Sequence, residues 1–97
     1  MARTRSYQSA LIERLKNPKE AAAYLNAAIE DDGLRVFLVA LRDVAEAHGG
    51  IAYLAKETQL NRESLYRTLS KQGNPTIINL FHMLDALRLK ISLKAAV

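Results

Sequence analysis

Apolar residues recur along this chain every three to four positions in several stretches and at every second position in one, so most of it reads as amphipathic helix. The densest stripe lies in Leu34 to His48, where Phe37, Leu41, Val44, Ala45 and His48 share a face that Leu34 and Leu38 widen. Gly49-Gly50 ends that helix. Upstream, Tyr7 to Leu15 makes a short helix with Tyr7, Ala10, Leu11 and Leu15 on one side, and Lys16 in the last turn suits the helix dipole. Asn17-Pro18-Lys19-Glu20 is a start signal: Asn17 caps, Pro18 fits the first helical position, and Glu20 sits three after the cap. The alanine-rich helix it opens runs to about Glu30 and packs through Tyr24, Leu25, Ala28 and Ile29. Asp31 and Asp32 oppose the charge of a helix C-terminus, so the helix stops there, with Asp32 free to cap the next one.

Ile51 to Ser70 is the stretch with most to say about function. Ile51, Leu54, Ala55 and Thr58 form one helical stripe, and Ala55 is small where a following helix must cross closely. Gln59, Leu60 and Asn61 form a tight turn, with Leu60 plugging the angle and Asn61 capping a second helix whose buried edge is Leu65 and Leu69. Arg62, Glu63, Ser64, Tyr66, Arg67 and Thr68 are left facing outward. Two short helices with such a link describe a helix-turn-helix, whose second helix can enter a major groove. They also occur in all-α domains that never touch DNA.

Beyond Ser70, Lys71 to Thr76 breaks the helix and opens another. The Asn74–Thr76 corner, helped by Lys71, is either a phosphate grip or a plain connecting turn. Within Thr76–Leu87 the core stripe is Ile77, Leu80, Phe81, Leu84 and Leu87, with Ile78 and Met83 outside it. From Leu89 to Lys94 apolar and polar residues alternate strictly, a strand pattern with no second strand in the chain to pair with. The tail therefore pairs with a second copy or with a partner's edge through Leu89, Ile91 and Leu93, or it is extended and solvated.

Charge placement separates these readings. The net charge is +4, yet residues 1–33 hold five basic and five acidic side chains, and residues 34–60 hold three of each. Residues 61–97 hold six basic and two acidic ones, so the whole excess begins at the second helix of the turn. A local positive field of this kind suits phosphate neutralisation, and a solvated basic face is the plainer alternative. Arg62, Glu63, Ser64 and Arg67 are the candidates for base edges, and Gly50, Tyr53, Lys71, Asn74 and Thr76 for phosphates. Arg3 and Arg5 lie in a polar start, residues 1–6, expected to be disordered: a frayed terminus or a minor-groove arm.

At 97 residues and 49% apolar the chain forms one compact unit, a helical extension over 1–33 followed by the helix-turn-helix region over 34–97. It has no cysteine and two histidines, so no metal site and no cofactor are expected. His48, His82, Asp43 and Asp85 are the conceivable acid–base groups, and their spacing assembles no catalytic site. No apolar run approaches the ~20 residues of a membrane span, and the basic start lacks the apolar segment of a secretory signal, so a cytoplasmic protein is expected.

The run LAKETQLNRESLYRTLSKQGNPTIINLFHMLDALRLKISL resembles the addiction-module antidote proteins, relatives of the HigA antitoxins within the lambda-repressor-like helix-turn-helix superfamily. The likeness extends upstream through Tyr24-Leu25 and Phe37–Leu41, and Arg62–Tyr66 followed by Gly73-Asn74-Pro75 is its most specific part. Gln59 departs from it, standing where that family usually has glycine; a left-handed glutamine there would cost about 1 kcal/mol. The resemblance implies an all-α, lambda-repressor-like fold of five to six helices, to which the alternation of Leu89 to Lys94 adds a short C-terminal strand. It further implies an antitoxin that neutralises a RelE-type toxin and, as a homodimer, represses its own operon at an inverted-repeat operator. A plain repressor without a toxin and a protein-interaction module remain the competing readings.

Overall fold

The computed structural model describes residues 4–97 as six helices, with no strand among them. These are α1 (Arg5–Leu15), α2 (Pro18–Asp32), α3 (Leu34–Ala47), α4 (Gly50–Thr58), α5 (Arg62–Thr68) and α6 (Ile77–Ala86). Helix α1 starts earlier than its apolar pattern suggests, because the Thr4 hydroxyl caps it by accepting from the Tyr7 N–H (3.0 Å). Arg5 and Ser6, expected in a disordered arm, are therefore helical, and Arg3 lies outside the described residues.

Asn17 caps α2 as expected, accepting from the Lys19 and Glu20 N–H groups at 2.9 and 3.4 Å. Glu20 pairs with Arg14 (3.5 Å) and so fastens α2 to the end of α1. Asp32 does not cap α3. It is the last residue of α2, and the junction is Gly33, whose φ of +85° reverses the chain with no side-chain cap. Ile29 and Leu34, both expected to pack, are exposed beside this junction, and Tyr7 is exposed on α1.

Helix α3 is the organising element: it packs on α1, α2 and α4, and seven of its residues are buried. One of them is Asp43, which the apolar stripe did not include. Its carboxylate accepts from the Tyr24 hydroxyl (2.7 Å) and from the Gln8 amide (3.3 Å), joining three helices through one charged group. Core residues from Leu11 to Leu87 form a single cluster, so α1 and α2 share a core with the helices that follow.

Helix α6 is rotated from its expected face. Met83 is fully buried, and Leu84, Leu87 and half-buried Leu80 complete the packed side. Ile77, Ile78 and Phe81 stay 63%, 62% and 50% exposed. The helix is apolar around more than half of its circumference, so periodicity left the buried arc undecided, and packing against α4 selects an arc about 60° away. Its end is a Schellman turn: Leu89 N–H donates to the Leu84 carbonyl (2.9 Å) and Arg88 N–H to that of Asp85 (3.0 Å), with Arg88 left-handed at φ +61°.

The expected C-terminal strand does not form among the described residues. Leu89 packs on the core, whereas Ile91 and Leu93 are exposed in a tail without regular structure. Alternation supplies a strand with two faces, but a strand also needs a neighbour's N–H and C=O groups, and an all-helical chain offers it no edge.

Candidate nucleic-acid interface

Helices α4 and α5 pack on each other across the three-residue turn 59–61. The Thr58 hydroxyl donates to the Leu54 carbonyl (2.7 Å) and accepts from the Leu60 N–H (3.3 Å), closing the end of α4. Gln59 then takes the left-handed conformation, φ +61° and ψ +23°, which turns the chain sharply. Leu60 is half-buried against the core, and Asn61 caps α5 by accepting from the Glu63 and Ser64 N–H groups at 2.8 and 3.2 Å. Buried Ile51, Leu54, Leu65 and Leu69 hold the pair in place.

At about 3.6 residues per turn, Arg67 lies opposite the buried Leu65–Leu69 line, with Glu63 and Ser64 to either side of it. Arg62, Glu63 and Arg67 are exposed and Ser64 is half-buried. Arg67 donates to the Ser64 hydroxyl (3.3 Å), so these two candidates form a single polar unit. Arg62 belongs to the neighbouring flank together with Tyr66, one turn on. The outward face thus carries donors and an acceptor in the mixture that base edges require.

The candidate phosphate residues fall into two groups. Lys71, Asn74 and Thr76 are exposed along the link from α5 to α6, where the Thr76 hydroxyl caps α6 by accepting from the Asn79 N–H (3.1 Å) and keeps its own hydrogen to donate. Gly50 and Tyr53 lie at the start of α4 and are half-buried, and the Tyr53 hydroxyl is directed to the Ala86 carbonyl at 3.4 Å. Phosphate contact by that hydroxyl would require giving up its bond to α6.

Gly73 is required in this link by close approach. Its N–H donates to the Ser70 carbonyl (3.0 Å), and a Cβ on it would stand 1.7 Å from the Thr68 carbonyl oxygen. Two further features escaped the sequence reading. Arg42 of α3 stacks over the Tyr66 ring with its guanidinium carbon 5.1 Å from the centroid. Arg35 of α3 donates to the Lys71 backbone carbonyl. The available signal was the spacing of these arginines, two helical turns apart and hence on one side of α3.

The conceivable acid–base groups are scattered. Asp43 is buried in the α1–α2–α3 network, His48 is half-buried at the end of α3, and His82 and Asp85 are exposed on α6. Among the described residues no cluster of His, Cys, Asp or Glu could hold a metal ion, and no helix is long and apolar enough to cross a membrane.

Comparison with known proteins adds a family relationship. A family model described as "Probable addiction module antidote protein" matches residues 5–95. An uncharacterized protein of Haemophilus influenzae is 33% identical over 82 residues, covering 84% of each chain. No solved structure matches.

Proposed function

The chain belongs to the family of probable addiction module antidote proteins, and from that premise we propose that it is the antitoxin of a type II toxin–antitoxin module and represses its own operon by binding DNA. The observation that carries the DNA-binding part is α5 itself. Its Leu65 edge is buried, Asn61 caps its start, and its free face presents Arg67, Ser64 and Glu63 with Arg62 on the flank. In this reading α4–turn–α5 is a helix-turn-helix of lambda-repressor-like, HigA-related type. Arg67 or Arg62 pairs bidentately with guanine O6 and N7, Glu63 accepts from cytosine N4, and Ser64 holds Arg67 in register. Lys71, Asn74 and Thr76, with the start of α4 at Gly50, hold phosphates and set the docking angle, and Tyr53 joins them by turning its hydroxyl from the Ala86 carbonyl to a phosphate oxygen.

A toxin is the partner that an antidote family implies; the further proposal is that it is of RelE type. A homodimer would place two copies of α5 about 34 Å apart on an inverted repeat. Exposed Ile77, Ile78 and Phe81 on α6, with Ile91 and Leu93 in the tail beyond Leu89, are the apolar surface that supports a second copy. The reading is tested by titrating the protein onto the DNA upstream of its own gene. Arg67→Ala should weaken that complex by ~1–3 kcal/mol and relax the preference at one base pair. An equal loss on unrelated DNA makes Arg67 a phosphate contact, and the absence of any salt-dependent binding removes the DNA-binding reading. Co-expression with the neighbouring small open reading frame tests the antitoxin half, for which protection from growth arrest is the expected result.

A further inference from the structure

Arg35 and Arg42 stand on one side of α3, and both are exposed. Arg42 reaches the flank of α5 through the Tyr66 ring, and Arg35 reaches the link after α5 through the Lys71 carbonyl. The ion pairs among the described residues are Arg14–Glu20 and Lys16–Glu13, so neither α3 arginine is neutralised in that way. Asp32 does line the groove beside Arg35, and Glu46 follows Arg42 by one turn. Two guanidinium groups of α3 are thus held on α5 and the link after it, through Tyr66 and Lys71.

We propose that α3 is a second DNA-contacting element, in which Arg35 and Arg42 each bind a backbone phosphate on the strand bordering the groove that α5 enters. This rests on the reading of α5 given above and extends it to a helix outside the helix-turn-helix. Arg42 reaches past the flank of α5 as far as the Tyr66 ring, with its guanidinium carbon 5.1 Å from the ring centroid, so its charge lies beside the helix that would enter the groove.

Its chemistry is not consumed by this contact. A guanidinium carries five N–H donors, more than one ring can engage, and no hydrogen bond takes the remainder among the described residues. The ring therefore removes conformational freedom from Arg42 before any phosphate arrives and leaves its fork open. Arg35 spends one N–H on the Lys71 carbonyl and keeps the others. That bond also sets the Lys71 backbone, and so both α3 arginines are held on groups that the DNA-facing segment itself supplies.

The test uses the full chain and a labelled mixed-sequence duplex of about three helical turns, with fluorescence anisotropy measured across a series of salt concentrations. Arg35→Gln retains an N–H for the Lys71 carbonyl and removes the charge, and Arg42→Gln removes the cation from Tyr66. Each should lower the slope of log K against log salt by about 0.9, or about eightfold in affinity at ~0.1 M salt, and the double variant by about 1.8. The loss should be the same on the upstream DNA as on the mixed duplex, because phosphates carry no sequence. Arg42→Lys should keep the slope and bind more weakly. Thermal midpoints near that of the unaltered protein establish that the variants are folded. If the unaltered protein binds with a salt slope and the folded double variant keeps that slope, the α3 assignment is overturned and the DNA-binding reading stands. If the unaltered protein shows no slope at all, both fall together.

Discussion

Replacing Gln59 by glycine should stabilise this protein. Gln59 ends α4 at φ +61° and ψ +23°, and its side chain is exposed. In this region an L-residue pays roughly 1–2 kcal/mol because its Cβ crowds the backbone carbonyl, a cost that glycine lacks. Against it stands the greater freedom of glycine in the unfolded chain, ~0.4–1 kcal/mol. The balance is a gain of about 0.5–1 kcal/mol. With an unfolding entropy of ~2.1 cal/mol/K per residue, a chain of 97 residues should melt about 2–5 °C higher.

Paired thermal and urea denaturation of Gln59→Gly and Gln59→Ala separates the backbone contribution from the side chain. Alanine carries the same Cβ and should leave the midpoint nearly unchanged. Arg88, left-handed at φ +61° in the Schellman turn of α6, repeats the experiment at a second helix end. Arg88→Gly should add its own increment to that of Gln59→Gly, since the two turns are separate. If glycine and alanine at position 59 shift the midpoint equally, or if glycine lowers it, the strain assigned to this turn is not there.

Gly73→Ala tests the opposite situation, because its Cβ would meet the Thr68 carbonyl oxygen at 1.7 Å and the backbone must move; a loss of ~2 kcal/mol or more is expected in urea unfolding, with weaker DNA binding through the displaced Lys71–Thr76 link. Tyr24→Phe removes the 2.7 Å hydrogen bond to the buried Asp43 carboxylate, and should cost ~1.5–3 kcal/mol by thermal unfolding without changing the salt slope of DNA binding. Met83→Ala should cost ~2–4 kcal/mol, whereas Phe81→Ala should cost well under half as much at concentrations where the protein is monomeric, since Met83 is fully buried and Phe81 half exposed. Equal losses for those two would restore the α6 face that periodicity alone suggests.

What could be read from the chain divides along a physical line. Signals carried by a residue and its near neighbours were legible: Asn17 and Asn61 as caps, Leu65 and Leu69 as a buried edge, Leu60 in the angle. Each depends on a hydrogen bond or a helical spacing that spans a few residues, whereas the left-handed turn at Gln59 was reached only through the glycine that the resembled family carries there. The features that escaped depend on what a distant segment brings. Met83 is buried because α4 covers that arc of α6, and the alternating tail is irregular because no edge meets it. Asp43 is tolerated inside because Tyr24 and Gln8 arrive from two other helices. The same division runs through the candidate interface. The outward face of α5 follows from its own seven residues, but Arg42 on Tyr66 and Arg35 on Lys71 exist only once the fold brings these long side chains of α3 to the α5 region. A helix of two turns is too short to be stable alone, so α5 takes its position from the elements around it. The charged groups that help to hold it are for that reason the natural candidates to share its ligand.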